Sequence, residues 1–509
     1  MNNKYIKNTL IVFIIIILGK LLSFLRDILI SQNFGSSLQT DAYFVAGNVP
    51  SIIFTAILSS YLVLVIPTYK FIKINQGKEQ VNIFTSRLIN YFIIVSILLS
   101  IIGYILANQI IHVIAPGFNQ HTHNLSVHIC QILILSFPLS SVTLILANIS
   151  NANEKYYSLH LIPIISSIFV IIPLILYSKN WDIYLVAISS VVAFIFQLFV
   201  QIIISRNEFK YKFKSNPFDD NIKNMSLLML PLFVSYSIDQ LNVIITSSMC
   251  TYLPIGSLSS YNYAIRLQTV INGSISISII SIIYPLLSRY FAENKIDELN
   301  KTLSKSINAS ITIVTPIIII LSFFSKEIVT LVFFRGNFDL IALNNTSIAF
   351  KYSIINVLMI TIRDILLRAF YIFKNTKVPL YSSLTSLFFN IILSLLLLNK
   401  YKLEGIVIAN LISSFLSLST IILFSSKLNT TKLELKFSHS NLVKIFIAAL
   451  ILLIFLNALQ GIHIHFSIYK LVIYMLIALF IYCTSLVLLK QNEGVIVYNY
   501  LKKIVHAKF

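Results

Sequence analysis

Six basic residues fall inside long apolar stretches of this 509-residue chain: Lys20, Arg26, Arg266, Lys351, Arg363 and Arg368. A charge at the centre of a bilayer costs roughly 2.5–3.5 kcal/mol on insertion scales. Such residues therefore face a polar cavity or a partner, or lie near enough to a helix end to snorkel. Arginine offers paired planar donors that match phosphate oxygens, and lysine a compact point charge. Several together suggest a cavity built for an anion. Asp27 directly follows Arg26, Asn262 lies one turn before Arg266, and Asp239 has no base beside it in its own segment. Asp239 stays open to two readings, a cation ligand or proton carrier and a carboxylate hydrogen-bonded to another helix.

The elements that must position these groups are membrane-spanning helices. The chain is 57% hydrophobic and 11% charged, with a mean hydropathy of +0.86, far from a soluble domain. Apolar stretches near the ~20 residues needed to cross a bilayer recur from end to end. They fall at 9–31, 42–66, 88–114, 126–149, 159–177, 182–204, 225–250, 259–286, 308–333, 341–372, 379–398, 403–425, 442–460 and 467–489. The first follows Lys4 and Lys7 like a signal peptide. It lacks a small-residue cleavage site and runs on into Lys20 and Arg26, so it is read as a span. The expected fold is an all-α polytopic membrane protein of about fourteen transmembrane helices.

The net charge of +20 is a matter of topology. With the N-terminus in the cytoplasm, 26 Lys and Arg residues fall in cytoplasmic segments and six in outer ones, Lys179, Lys326, Arg335, Lys400, Lys402 and Lys470. This is the positive-inside asymmetry, it puts both termini in the cytoplasm, and it removes the reason to invoke nucleic acid. Cys130, Cys250 and Cys483 are scattered in apolar segments as small core residues, with no disulfide or metal spacing. His121 and His123 read as part of a solvated outer loop. No nucleophile elbow, phosphate loop or zinc-protease helix is present, so the chain is not expected to be an enzyme or to carry a cofactor.

An internal repeat organises the spans. "IIHVIAPGFNQ" (110–120) pairs with "IVTLVFFRGNFD" (328–339), and "LANISNANEKYYSLHLIPI" (146–164) with "LLRAFYIFKNTKVPLYSSL" (366–384). "SSLQTDAYFVAGNVPSII" (36–53) pairs with "GSLSSYNYAIRLQTVING" (256–273) at the same offset near 220. That offset is six spans, so the halves are parallel repeats, and the first, second, seventh and eighth spans should converge. The division is an N-terminal lobe over 1–224, a C-terminal lobe over 225–436, and two further spans with a cytoplasmic tail over 437–509. At 100° per residue, Gly19, Lys20, Ser23, Arg26, Asp27 and Ser31 share one arc of the first span. Asn262, Arg266, Thr269, Gly273 and Ser276 form a stripe on the eighth, and Ser235, Asp239, Asn242 and Thr246 one on the seventh. A polar face on a spanning helix meets a hydrated interior or another helix. Arg26 and Asp27 can either serve a site or only neutralise neighbouring helices. Asp364 and Arg368 have the spacing of a helix-surface ion pair, Lys351 is placed to snorkel, and Arg363 is undecided.

The stretch "LLSFLRDILISQNFGSSLQTDAYFVAGNVP" (21–50) resembles the opening signature of the MurJ (MviN-like) lipid II flippase family. "APGF" (115–118), "PLLS" (285–288), "LVFFRGNFD" (331–339) and "RAFYIFKNTKVP" (368–379) follow as further landmarks in order. The resemblance implies the fourteen-helix, two-lobed fold of the multidrug/oligosaccharidyl-lipid/polysaccharide exporter superfamily. It further implies a transporter of the bacterial cytoplasmic membrane that moves a polyprenyl-pyrophosphate-linked peptidoglycan precursor to the outer leaflet by alternating access. The partners implied are that lipid-linked oligosaccharide, membrane lipids and the cell-wall synthesis machinery, with sodium or the membrane potential as driving force. By the resemblance Arg26 and Arg266 match cavity arginines, Asp41 matches the second-span acid, and Lys20 stands where an arginine is usual. Asp239 and Asn390 match positions that bind sodium in some members. Phe54, Thr55 and Ser59 depart from a second span that elsewhere carries bases and a Glu, and Thr269 replaces an acid. Those departures leave a flippase for an O-antigen or capsule precursor as the competing reading. A cation-coupled drug antiporter would favour an acidic cavity, and a non-transporting scaffold would pack its polar stripes closed.

Overall fold

The computed structural model describes residues 3–176, 182–213, 216, 220–373, 375, 377–427, 439–460 and 468–491. Among them every regular element is a helix. An apolar chain in lipid has no water for its peptide groups, and a helix satisfies them within the segment. The first repeat runs α1 (Asn3–Phe34), α2 (Leu38–Asn75), α3 (Gly77–Ile105), α4 (Ala107–Ile114), α5 (Gln120–Ile134), α6 (Phe137–Ala152), α7 (Tyr157–Leu176) and α8 (Tyr184–Ser205). The second runs α9 (Asp220–Thr251), α10 (Ser257–Ala292), α11 (Ile296–Phe323), α12 (Ser325–Phe333), α13 (Leu340–Ser353), α14 (Asn356–Ile372) and α15 (Lys377–Lys427). Then come α16 (His439–Gln460) and α17 (Ile468–Leu488).

Eight of the described helices are long and apolar enough to cross a membrane, nine if the bent pair α5 and α6 counts as one span. The fourteen expected from the sequence exceed that number and stand as a proposal. Four of the expected spans are broken rather than continuous. The breaks fall at Leu106, at Leu135–Ser136, at Phe324 and at Ile354–Ile355. The α5–α6 break bends by 43° and has a cause in Pro138, which sits in the first turn of α6, where the missing N–H does no harm. The breaks repeat with the sequence: α4, α5, α6 and α7 start at 107, 120, 137 and 157, and α12, α13, α14 and α15 at 325, 340, 356 and 377. Even the caps correspond. Asn119 Oδ1 accepts from the Thr122 N–H (2.9 Å) and Asp339 Oδ1 from the Ala342 N–H (2.7 Å). α15 is two helices joined at Lys402 (φ 49°), close to the expected boundary between 398 and 403.

The chain divides into two compact units, Met1–Asn262 with Arg335–Ala342, and Tyr263–Phe334 with Leu343–Phe509. In the first, α1 lies along α7, α2 packs on α5, α6 and α9, and α8 on α6 and α7. Its core joins Tyr61, Val65 and Tyr69 of α2 to Phe84, Leu88 and Phe92 of α3 and Ile145 and Ile149 of α6. In the second, α11 is central, packing on α14, α16 and α17. Leu299, Leu303 and Ile307 meet Ile365, Phe370 and Ile421 on one side, and Ile320 and Phe324 meet Leu452, Leu456 and Tyr482 on the other. Large apolar side chains such as Leu176, Ile282, Ile454 and Phe480 are left more than two-thirds exposed, beyond what a soluble surface tolerates and as a lipid-facing one requires.

After α8 the chain turns back along α3 as a strap. Asn82 Oδ1 accepts the N–H of Lys210 (3.1 Å) and Ser86 Oγ that of Lys212 (2.8 Å), while Asn90 Oδ1 accepts from the Tyr211 hydroxyl. Phe209 packs against the core beside them. The same three residue types recur on α11 at Asn300, Ser304 and Asn308, all buried. Lys179, Lys214, Lys374, Lys432, Lys436 and the tail beyond Gln491 lie outside the described residues.

Candidate functional site

The polar arc of α1 divides between helix packing and ion pairing. Gly19 sits against α7, where an added Cβ would lie 3.4 Å from Ile164, and Ser23 Oγ bonds Ser167 Oγ at 3.1 Å. Ser31 is buried and donates to its own helix at Ile28 O (2.8 Å). Lys20 is half-buried. Arg26 donates from Nε (3.2 Å) and Nη2 (2.9 Å) to Asp27 Oδ1, with one-fifth of the Arg26 side chain exposed. The pair fixes the guanidinium plane, and the group has five N–H donors in all.

On α10 the stripe also divides. Asn262 is half-buried and donates to Leu258 O (2.9 Å), whereas Arg266 and Thr269 are exposed. Ser276, buried, meets Thr361 of α14 at 3.0 Å. Asp239 is exposed on α9, and Thr246 on the same stripe is buried and donates to Asn242 O (3.0 Å). Asn390, in the second unit, is fully buried and accepts from Ser394 Oγ (3.2 Å).

Asp41 is placed by the structure at the N-terminus of another helix. Its Oδ2 accepts the Gly256 N–H at 2.6 Å and its Oδ1 the Ser259 N–H at 2.7 Å, and the residue is 3% exposed. The first turn of a helix has N–H groups without intrahelical partners, and its dipole favours an anion there. Asp41 therefore satisfies α10 from α2. Around it, Ser260 Oγ bonds Ser36 Oγ (3.1 Å) and Asn48 Nδ2 donates to Ser247 Oγ (3.2 Å). Of the four spans expected to converge, α2 packs on α9 and meets the start of α10 through Asp41.

The remaining intramembrane bases have local partners. Lys351 is exposed with Nζ 5.5 Å from the Tyr352 ring centroid. Arg368 lies over the Tyr284 ring at 5.9 Å. Arg363, undecided from sequence, donates from Nη2 to Ser383 Oγ (2.9 Å), tying α14 to α15. His121 and His123 are not in a loop but in the first turns of α5; His121 is exposed, and the His123 ring packs edge-on to His112 at 6.1 Å. Cys130 and Cys250 are buried as expected, whereas Cys483 is exposed. Sequence reasoning missed Gly256 and Ser259 as contact residues, because the helix start that Asp41 serves lies more than 200 residues away.

The family model for "Lipid II flippase MurJ" matches residues 30–483. The chain belongs to the MurJ lipid II flippase family. Among relatives in that family, probable lipid II flippases of Buchnera aphidicola subsp. Baizongia pistaciae and Rickettsia prowazekii are 27% and 25% identical, over 89% and 82% of this chain and 89% and 83% of theirs. A solved MurJ structure titled as an inward closed conformation aligns with TM-score 0.81 at 23% identity, covering 94% of this chain and 98% of that one. An inward-facing multidrug transporter of the wider superfamily aligns less closely, with TM-score 0.65 at 13% identity over 81% of this chain and 96% of that one. The family has the polytopic all-helical fold expected from the sequence, and its members are transporters rather than enzymes.

Proposed function

We propose that this chain is a flippase that carries lipid II from the inner to the outer leaflet of the bacterial cytoplasmic membrane by alternating access, with both termini in the cytoplasm. The observation that carries the reading is the family match across residues 30–483. In this reading the lobes over 1–224 and 225–436 rock about the cargo, and the spans after 437 complete the fourteen. Arg26 and Arg266 bind the pyrophosphate, assisted by Lys20 and Asn262. Asp27 orients Arg26 and leaves other guanidinium donors for the ligand. Asp41 serves closure of the outer end rather than the headgroup. Asp239 and Asn390 belong to ion coupling. An inside-negative potential favours outward movement of the anionic cargo by about 2.3 kcal/mol per net charge per 100 mV.

The test is complementation of a flippase-depleted cell with Arg26→Ala and Arg266→Ala. Both variants should reach the membrane at normal abundance and fail to restore growth, and full activity in both overturns the assignment. Phe54, Thr55 and Ser59 favour a second reading, another lipid-linked saccharide as cargo. Identifying the lipid-linked precursor that accumulates on depletion decides between them.

A further inference from the structure

Two glycine turns, one in each repeat, dock on helix ends of the opposite repeat. Gly117 of "APGF" donates its N–H to Thr251 Oγ1 at the C-terminal end of α9 (3.1 Å). A Cβ added there would lie 2.5 Å from the Thr251 carbonyl carbon and oxygen and 2.6 Å from the Tyr252 nitrogen. Gly336 of "RGNF" lies on the C-terminal end of α1, where a Cβ would be 2.3 Å from Gln32 O. The next residue, Asn337, donates its N–H to the same carbonyl (2.9 Å) and its Nδ2 to Asn33 O (2.5 Å). Gly117 and Gly336 are 219 residues apart in sequence, and so are Gln32 and Thr251. The repeat that maps one turn onto the other therefore maps one contact onto the other.

From this pairing we infer that Gly117 and Gly336 are matched positioning residues that close the outer end of the transporter, each by letting one repeat's turn reach the first helix of the other. The inference rests on the alternating-access reading. The two glycines differ in what excludes a side chain. Gly336 has φ +60°, so its turn favours glycine whatever it touches. Gly117 has no such backbone demand, and the close approach to Thr251 alone excludes a side chain. The atoms it would strike are backbone, which cannot swing aside as a flexible side chain would.

The contact can be read by a disulfide. In a chain with Cys130, Cys250 and Cys483 replaced by Ala, Asn33→Cys and Asn337→Cys place a cysteine pair across the α1 contact. Gly117→Ala acts on the other contact, so it perturbs the reporter only if the two close together. Its expected effect is a fall in oxidative cross-linking of about tenfold, the size of an ordinary overpacking penalty. Gly47→Ala, whose added Cβ meets nothing within 4 Å, should leave the yield at the unsubstituted level. If Gly117→Ala does not accumulate in the membrane, Thr251→Val removes the acceptor of the Gly117 N–H, together with the Oγ1 donor to Ser248 O within α9 (2.7 Å), and should lower the yield in the same direction. Unchanged cross-linking in the accumulating variant overturns the inference, as does full growth support by a chain whose outer end is held by the oxidised pair. Cross-linking is scored without cargo, so its outcome is separate from whether lipid II is the substrate.

Discussion

Replacing Asp41 with Asn keeps the shape of the side chain and removes its charge. In the native structure each carboxylate oxygen takes one N–H from the first turn of α10, at 2.6 and 2.7 Å. The amide can offer one carbonyl oxygen, so one N–H loses its acceptor and faces an NH2 donor instead. A hydrogen bond to a charged group contributes about 1.5–3 kcal/mol, and the helix-terminus interaction adds about 0.3–1. The loss should be about 2–4 kcal/mol, or about a 30- to 700-fold rise in the population in which α2 and α10 are parted at this end. Hydrogen exchange of peptides covering 254–262 in nanodiscs reads that population directly, because exchange requires the amide to open. Protection of Gly256 and Ser259 should fall by that factor in Asp41→Asn while peptides from the α2–α3 core stay unchanged. Protection within twofold of the unsubstituted chain would refute the reasoning.

Two further outcomes follow from local geometry. Gly405→Ala puts a Cβ 2.6 Å from Leu397 O in the α15 turn, an overpacking expected to cost about 1–3 kcal/mol, and should lower the midpoint of thermal loss of the monodisperse peak in detergent; an unmoved midpoint contradicts it. Arg289 and Lys295, bonded to Glu293, hold its carboxyl down at about 2. A depressed carboxyl contributes above its unfolded pKa and loses that contribution as pH falls toward the folded value. Because the pair is exposed, Glu293→Gln should not alter thermal stability between pH 5 and 9; a clear pH-dependent drop in that window would show a stronger role.

The helices, the offset of the repeat and the α15 turn were legible because each leaves a local trace in composition or periodicity. The polar arc of α1 was legible as an arc, but not its division, since Gly19 and Ser23 meet α7 and Arg26 meets its own neighbour. Periodicity gives the face and never the partner. Asp41 illustrates the limit most plainly: its acceptors' partners lie 215 and 218 residues away, and a carboxylate near a helix start looks the same whether it serves its own helix or another. The breaks at Leu106 and Phe324 carry no proline to announce them. The one at Leu135–Ser136 was readable from Pro138.

The strap on α3 also bears on how the protein is made. The Asn82 side chain waits for the Lys210 amide, 128 residues downstream. At ~5–20 residues per second of synthesis, that is about 6–25 s in which the face bearing Asn82, Ser86 and Asn90 has no strap. Those residues sit in the first half of α3, which under the proposed orientation is the cytoplasmic end, where water can solvate them in the interval. The first repeat is thus not finished when its last helix has entered the bilayer. It is finished when the ribosome has released the first few residues beyond α8.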